Sequence, residues 1–258
     1  MKDRIQEFAR VETQTEIAEG IYSLRFRSGA IASRARPGQF VNVLLRDGHA
    51  PLLRRPFSIS SVSGETVTLV YNIIGRGTRM MATKRPGDDL DVLGPLGQPF
   101  RVDDSFRIAI IVAGGLGVAP FPYLTETLEQ AGKTIRTYLG ARTAAQVVTA
   151  GLRDVRLATD DGSAGYRGTV VALLEEDLRK DPGEGMKIFS CGPTPMMKAL
   201  GVLAEREAIP CELSLEGDMA CGIGLCQGCP VERRDGDKKY ALVCVDGPTF
   251  RSSEINLP

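Results

Sequence analysis

The hydrophobic pattern of this chain switches near residue 106, and the switch constrains its fold more than any single motif. Before it, "GIYSLRFRS" and "GQFVNVLLRD" alternate apolar and polar residues, and "ETVTLVYNII" is rich in β-branched side chains. Short period-two segments separated by Gly and Pro read as half-buried strands of a small antiparallel barrel. After the switch, "FRIAIIVAGG" is an unbroken apolar run, expected of a strand covered on both faces of a parallel sheet. The helical spacing of "PYLTETLEQAG", the strand "KTIRTYLGART", then "VRLATDDG", "TVVALLEEDLRK" and "MKIFSCGPTPMMKALGVLAERE" continue a strand–helix alternation. That order implies an open α/β sheet with helices on both sides. From about residue 209 the chain is turn-rich and cysteine-rich, too short for a core of its own. The expected organisation is therefore multidomain: an antiparallel β-barrel over 1–102, a parallel-sheet α/β domain over 103–208, and a small C-terminal domain over 209–258.

Composition mainly excludes. Thirty-two basic and 32 acidic residues cancel, so the net charge gives no reason to expect a nucleic acid or an anionic membrane as partner. No apolar run is long enough to span a bilayer, and the charged opening "MKDRIQEFARVETQTEIAEG" is not a secretory signal. A cytoplasmic protein is expected, in a compartment where clustered thiols bind metal or do redox chemistry. The lone histidine, His49 in "RDGHAP", reads as a solvated loop residue, which makes Ser–His–Asp chemistry and a His-rich zinc site improbable.

The cysteines are spaced Cys221-x4-Cys226-x2-Cys229-x14-Cys244. This is the plant-type arrangement for a [2Fe–2S] centre, with three ligands on one loop and a fourth from elsewhere. Gly222, Gly224 and Gly228 suit a loop that needs positive φ values and backbone N–H groups close to sulfur. "YALVCVDG" reads as the strand that delivers Cys244. Structural zinc also takes four thiolates, but usually from two C-x2-C pairs, and only Cys226 and Cys229 have that spacing. Buried free thiols are the remaining alternative. Cys211 falls outside the pattern and reads as a structural thiol.

Two further constellations carry chemistry. In "LLRRPFSISS", two arginines precede a proline and an alternating strand, and in "IIGRGTRMMATKRPGD", Gly77 and Thr78 open a short helix whose free N–H groups could hold a phosphate. An edge strand with solvated arginines is the plainer reading of the first. In "IVAGGLGVAPFPYL", Gly115-x-Gly117-x-x-Pro120 departs from the G-x-G-x-x-G fingerprint at its third position, so it is a weak dinucleotide motif and could be a bare glycine turn. Cys191-Gly192-Pro193 ends another strand, where open α/β sheets bind ligands, although Cys191 could be purely structural.

Taken in order, these stretches resemble the ferredoxin reductase superfamily. Arg55, Pro56, Phe57 and Ser58 match its R-x-[YF]-S flavin strand, Gly77 and Thr78 its pyrophosphate-binding helix start, and Gly114 to Pro120 its G-G-x-G-x-[AT]-P nucleotide loop. The resemblance spans essentially the whole chain and is strongest to the electron transfer subunits of dihydroorotate dehydrogenase B. It rests on "RRPFSIS", "GRGT", "LDVLGPLG", "GGLGVAP", "SCGPTPMMKAL", "SLEGDMACGIGLCQGCPVE" and "VCVDGPTF". Related electron-bifurcating subunits share the domain order but carry aspartate where Cys221 stands here.

The resemblance implies three cofactors: FAD, NAD(H) and a [2Fe–2S] cluster. Arg55 would offset diphosphate charge, Ser58 would sit near the flavin N5, and Val70, Tyr71 and Asn72 would form a second flavin-contacting strand. Cys191, Gly192 and Pro193 would hold the nicotinamide against the flavin, with Ser58 and Cys191 positioning rather than attacking. It also implies an FMN-containing catalytic partner, dihydroorotate as that partner's substrate in pyrimidine biosynthesis, and a heterotetramer of two plus two. The alternative is a stand-alone NAD(P)H-dependent reductase serving a ferredoxin or an oxygenase. Arg142 could accept an NADP 2′-phosphate, whereas Asp160 and Asp161 would repel it; the family preference is NAD.

Overall fold

The computed structural model describes residues 4–45, 49–181, 183–236 and 238–257. Its first part contains strands β1 (Ile5–Ala18), β2 (Ile21–Arg27), β3 (Phe40–Leu44), β4 (Arg55–Ser63), β5 (Thr66–Asn72) and β6 (Asp89–Leu96). A short helix α1 (Gly29–Ala32) follows β2, and α2 (Arg76–Ala82) follows β5. The six strands close into a barrel in the order β1-β2-β5-β4-β3-β6. β1 runs for 14 residues and pairs with both β2 and β6, so it is the staple that leaves the barrel without a free edge. Inward residues such as Leu24, Phe26, Val41, Val43, Ile59, Val67 and Leu69 are fully buried in the barrel core.

The second part contains β7 (Ile108–Gly114), α3 (Phe121–Gln130), β8 (Thr134–Ala141), β9 (Val155–Thr159), β10 (Tyr166–Arg167), α4 (Val170–Lys180), β11 (Met186–Cys191), α5 (Thr194–Arg206) and β12 (Cys211–Ser214). These strands form one parallel sheet in the order β10-β9-β8-β7-β11-β12. Alternate residues of β7 serve opposite faces. Ala109, Ile111 and Ala113 pack on Phe121, Leu124 and Leu128 of α3, while Ile110 and Val112 pack with Leu174 of α4 and Leu200 of α5. Helices therefore cover both faces, as the unbroken apolar run in β7 requires.

The C-terminal part adds β13 (Pro230–Arg233), β14 (Tyr240–Leu242), β15 (Thr249–Arg251) and β16 (Ile255–Asn256). Strands β14, β13 and β16 make a small antiparallel sheet, but β15 leaves it and pairs with β12 at the edge of the large sheet. The expected start of the C-terminal domain at residue 209 thus precedes β12, a strand that belongs to the parallel sheet. The physical reason is core sharing. Cys229, Val231, Ala241, Val243 and Cys244 lie in the same apolar cluster as Ile110, Ile188 and Leu213 of the large sheet. The end of the barrel is knitted in as well: Gln98 N–H donates to the Gly247 carbonyl at 2.6 Å and its side chain to the Val245 carbonyl at 3.0 Å.

One local expectation needs correction. Cys244 does not lie on a strand, because β14 ends at Leu242 and Cys244 sits in the turn that follows. The turn is fixed by Asp246, whose carboxylate and backbone both bond back to Leu242, so Cys244 is held by a turn instead of a ladder.

Candidate active site and cluster loop

The sheet order reverses at β7, which has β8 on one side and β11 on the other. In open α/β sheets such a switch point makes a crevice at the carboxyl ends of the strands. The loop after β7 and the turn after β11 meet there. A Cβ on Gly117 would lie 2.2 Å from the Cys191 carbonyl oxygen, and one on Gly192, at φ +150°, 2.9 Å from the Gly114 nitrogen. Gly115 adopts φ +54°. The glycines of "GGLG" and "CGP" are therefore required by each other: two strand ends approach backbone to backbone, and a side chain at Gly117 or Gly192 would force them apart. Pro120 caps α3, and Pro193 precedes α5.

The barrel presents β4 and β5 to the same crevice, forming a cleft of about 900 Å³. Arg55, Pro56, Phe57 and Ser58 of β4, Val70, Tyr71 and Asn72 of β5, and Thr78 of α2 line one side. Leu116, Pro120 and Cys191 line the other, and the segment from Ser214 to Ala220 closes the third. Three parts of the chain, far apart in sequence, thus share one cavity. Of the residues singled out from sequence, Gly77, Gly114, Gly115, Gly117, Gly192 and Pro193 are not among those lining the cleft. Gly77 is flat against Arg55, its ideal Cβ position being 3.5 Å from the Arg55 Cγ.

The two arginines of the β4 motif separate in three dimensions. The Arg54 Nη2 donates to both carboxylate oxygens of Asp91, at 2.8 and 3.0 Å, inside the barrel wall, which commits it to structure. Arg55 remains beside the start of α2. There the Thr78 hydroxyl accepts from the Ile74 and Gly75 N–H groups at 2.9 and 3.1 Å. The first N–H groups of α2, on Arg76 and Gly77, have no intrahelical acceptor. A guanidinium over a helix start is the chemistry of a diphosphate cradle. Tyr71 packs edge-on against Phe57 at 5.8 Å and receives the Gln14 amide at 2.5 Å. Burial pushes its phenol up to about 12, so it stays protonated beside any ligand on this wall.

Cys191 is buried, and its thiol is pushed up strongly, first by burial and then by the charge of Glu216. It is a thiol and not a thiolate nucleophile. Glu216 was not signalled by sequence, since it stands in the unpatterned run "LEGDMA". It reaches solvent through the cleft mouth, yet partial burial of its carboxyl raises its pKa above the usual carboxylate value. Glu216 and Ser214 both line the cleft that Ser58 also lines.

The expected nucleotide discriminators also meet. Asp161 N–H donates to the Arg142 carbonyl at 3.3 Å, and Asp160 N–H to that of Ala141 at 3.1 Å. The Asp161 carboxyl is held below its ordinary value by the Ser163 hydroxyl and N–H. The acidic pair therefore lies alongside Arg142 at the end of β8.

The cluster loop lies next to the cleft, which it meets through Met219, Ala220 and Gly228. Gly222 and Gly224 take φ +66° and +86°, and a Cβ on Gly224 would lie 2.7 Å from Val245. The wrapped backbone aims N–H groups at sulfur: Ile223 and Cys226 at the Cys221 Sγ, at 3.5 and 3.3 Å, and Gly228 at the Cys226 Sγ, at 3.4 Å. Burial opposes ionisation of Cys221, but these N–H groups with the Cys226 thiol outweigh it and bring the thiol down to about 6. Cys244 is pushed up to about 12 by burial and by its neighbour Cys229. The thiols thus interact chiefly in two pairs, Cys221 with Cys226 and Cys229 with Cys244, the second pair buried, Cys221 half-buried and Cys226 exposed. Among the described residues, no three Cys, His, Asp or Glu side chains close on one point as a single metal ion requires. A binuclear cluster divides its four thiolates between two irons, and this looser set with N–H donors to sulfur fits that demand. Cys211 is separate and buried on β12, with its thiol pushed up to about 12.

Residues 216–256 match the model of the iron–sulfur cluster binding domain of dihydroorotate dehydrogenase B. Across almost the whole chain, relatives described as the electron transfer subunit of dihydroorotate dehydrogenase B (NAD(+)) include that of Bacillus velezensis, 36% identical over 96% of this chain and 97% of its own. Another, from Bacillus caldolyticus, is 38% identical over 96% and 97%. Among solved structures, an NADH-dependent reduced ferredoxin–NADP oxidoreductase studied for flavin-based electron bifurcation superposes with TM-score 0.86 at 29% identity, covering 97% of this chain and 90% of that one. Phthalate dioxygenase reductase, at TM-score 0.64 and 16% identity over 98% of both chains, shares the fold. With the paired strand-end loops, the three-sided cleft and the four-thiol loop in one chain, these likenesses place it in the family of dihydroorotate dehydrogenase B electron transfer subunits.

Proposed function

We propose that this chain carries electrons between NAD(H) and a [2Fe–2S] cluster through FAD, to or from the FMN of a partner dihydroorotate dehydrogenase subunit. The observation that carries the reading is the single cleft bounded by the β4 flavin strand, the β7 and β11 strand-end loops and the approach to the cluster loop. When bound, FAD supplies the exchange between a two-electron hydride and single electrons, and the cluster accepts or gives one at a time.

The chain's own residues supply geometry and electrostatics. Arg55 with the free N–H groups of α2 would hold a diphosphate, while Pro56, Phe57, Ser58, Val70, Tyr71 and Asn72 form the wall for a flat ring. Gly114, Gly115, Gly117 and Pro120 would admit the nucleotide pyrophosphate, and Cys191, Gly192 and Pro193 would seat the nicotinamide. Glu216 and Ser214 would exchange the accompanying proton with solvent. Asp160 and Asp161 beside Arg142 favour NAD over NADP by repelling a 2′-phosphate. Cys221, Cys226, Cys229 and Cys244 would ligate the two irons. The segments 1–102, 103–208 and 209–258 serve as flavin, nucleotide and cluster units, with β12 shared between the last two.

For the described residues, no helix is long and apolar enough to cross a membrane. A cytoplasmic enzyme with two copies of each subunit is the assembly we propose. Leu225, 79% exposed between two cluster ligands, supports a docking face at the cluster loop. The test is an anaerobic visible spectrum of the purified chain before and after NADH, repeated with the co-expressed catalytic subunit and dihydroorotate. Bleaching of flavin and cluster features in both is expected. Failure of NADH to bleach either would refute the redox reading, and bleaching by NADH without any dihydroorotate-linked reduction would transfer the chain to a stand-alone reductase role.

A further inference from the structure

Strand β3 is apolar except for one position. Phe40, Val41 and Val43 are buried hydrophobics, and between them Asn42 is equally buried, at 1% exposure. An amide in such a place costs free energy unless fully bonded. Yet the Asn42 Oδ1 has no hydrogen-bond partner among the described residues. Its Nδ2 donates 3.2 Å to the carbonyl of Cys221, 179 residues away on the cluster loop. The contact is tight on the other side as well. Gly222 stands at φ +66°, and a Cβ there would lie 2.0 Å from the Asn42 Nδ2. The amide therefore lies directly against the Cys221–Gly222 peptide. The backbone of Asn42 is itself held, since its carbonyl accepts from Arg54 at 3.4 Å while Arg54 is clamped on Asp91. In the barrel ladder Asn42 stands opposite Pro56 of the flavin strand.

We infer that Asn42 is a positioning residue that fixes the orientation of the Cys221–Gly222 peptide and thereby sets the reduction potential of the cluster; the inference rests on the cofactor reading above. The chain of causes is short. Ile223 N–H and Cys226 N–H reach the Cys221 Sγ at 3.5 and 3.3 Å, N–H···S bonds that hold only while the loop keeps its winding. The peptide that Asn42 grips is the first of that winding. Hydrogen bonds to ligand sulfur stabilise the more negative, reduced cluster. With the grip gone, the peptide can turn, the two bonds lengthen and reduction becomes harder. Losing about one such charge-assisted bond shifts the cluster's one-electron equilibrium roughly tenfold toward the oxidised form, about 59 mV in midpoint. Arg4, which donates 3.3 Å to the Ile223 carbonyl, is a second barrel contact to the loop, but it is only part-buried and grips past the ligand.

The test uses the whole chain loaded with flavin and iron. Asn42→Leu keeps the branched skeleton and removes the donor; Asn42→Asp keeps the shape and replaces the donor with an acceptor facing the Cys221 carbonyl. Iron content, the electron paramagnetic resonance spectrum of the reduced cluster and its midpoint potential are measured beside the flavin potential. The unsubstituted chain is the control for the cofactor reading: if it holds no cluster, that reading fails before Asn42 is tested. With a cluster present, both variants are expected to retain iron, to show shifted g-values and to favour the oxidised cluster about tenfold, with the flavin potential unmoved. An unchanged spectrum and potential in either iron-loaded variant would overturn the inference. Loss of iron from both variants with flavin retained would also overturn it, leaving Asn42 as a structural anchor alone.

Discussion

The linker between barrel and parallel sheet is held by a buried ion pair whose removal gives a quantitative test of how the two parts are joined. Lys187 of β11 and Glu212 of β12 are 7% and 3% exposed and 2.9 Å apart. Both also grip Arg101: the Lys187 Nζ donates to its carbonyl at 2.7 Å, and a Glu212 oxygen accepts its N–H at 3.0 Å. The ammonium lies 5.3 and 5.1 Å from the ring centroids of Phe106 and Phe189, so its environment is apolar and aromatic. Lys187→Met leaves a carboxylate in that setting without its cation, a loss of about 3–5 kcal/mol. For a chain of this size each kcal/mol moves Tm by about 2–4 °C, so a fall of roughly 10 °C is expected. Glu212→Gln strands the ammonium and costs a similar amount. In the double variant both charges are gone and the glutamine can still accept from Arg101 N–H, so the two losses do not add. A coupling energy of about 2–3 kcal/mol is expected. Thermal unfolding by circular dichroism, with flavin fluorescence reporting release of the barrel's ligand, reads all four corners of the cycle. Strict additivity, with coupling below about 0.5 kcal/mol, would refute the argument that the pair acts as one unit on the linker.

Other consequences are equally specific. Gly117→Ala drives a methyl group to within 2.2 Å of the Cys191 carbonyl; the strand ends must part, and the KM for NADH should rise about tenfold for a displacement costing about 1–3 kcal/mol, with flavin content unchanged. Thr78→Val removes the acceptor for two N–H groups at the start of α2, a loss of about 1 kcal/mol that should weaken FAD binding about fivefold in equilibrium dialysis. Cys226→Ser should abolish iron binding by elemental analysis while NADH still bleaches the flavin, because Cys226 lies on the exposed side of the loop and does not line the cleft. Burial raises Tyr71 and Tyr138 to about 12 from 10. Both are neutral in folded and unfolded chains below pH 10, so their contribution is intact there and is lost as pH climbs from about 10 to 12. Two units correspond to about 2–3 kcal/mol each, and Tyr71→Phe should flatten that part of the stability curve measured in urea.

Much of this molecule is written in local pattern. The unbroken run of β7 and the alternation in β2 and β5 each encode a local physical requirement, and each strand forms where its pattern stands. Strand β4 and the glycine loop after β7 are legible for the same reason: residue type and spacing alone specify a strand or a tight turn, while the ligand each would hold follows only from the resemblance. What stayed hidden depends on partners distant in sequence. β1 is more polar than apolar and becomes a strand because β2 and β6 flank it. Cys244 reads as a strand residue, but Asp246 turns the chain before it. Arg54 and Arg55 look alike until Asp91 claims one of them. Glu216 acquires its raised pKa only from the walls around it.

By itself, then, the sequence determined the kinds of element and the chemistry each could carry, because period, glycine placement and thiol spacing are local properties of a chain. Only the tertiary structure decided that these segments share one cleft, that β15 completes the edge of the sheet that β7 begins, and that a buried amide on the barrel grips the loop at Cys221. Those facts arise from burial and from contacts between segments far apart along the chain, where the free energy of packing outweighs any local preference.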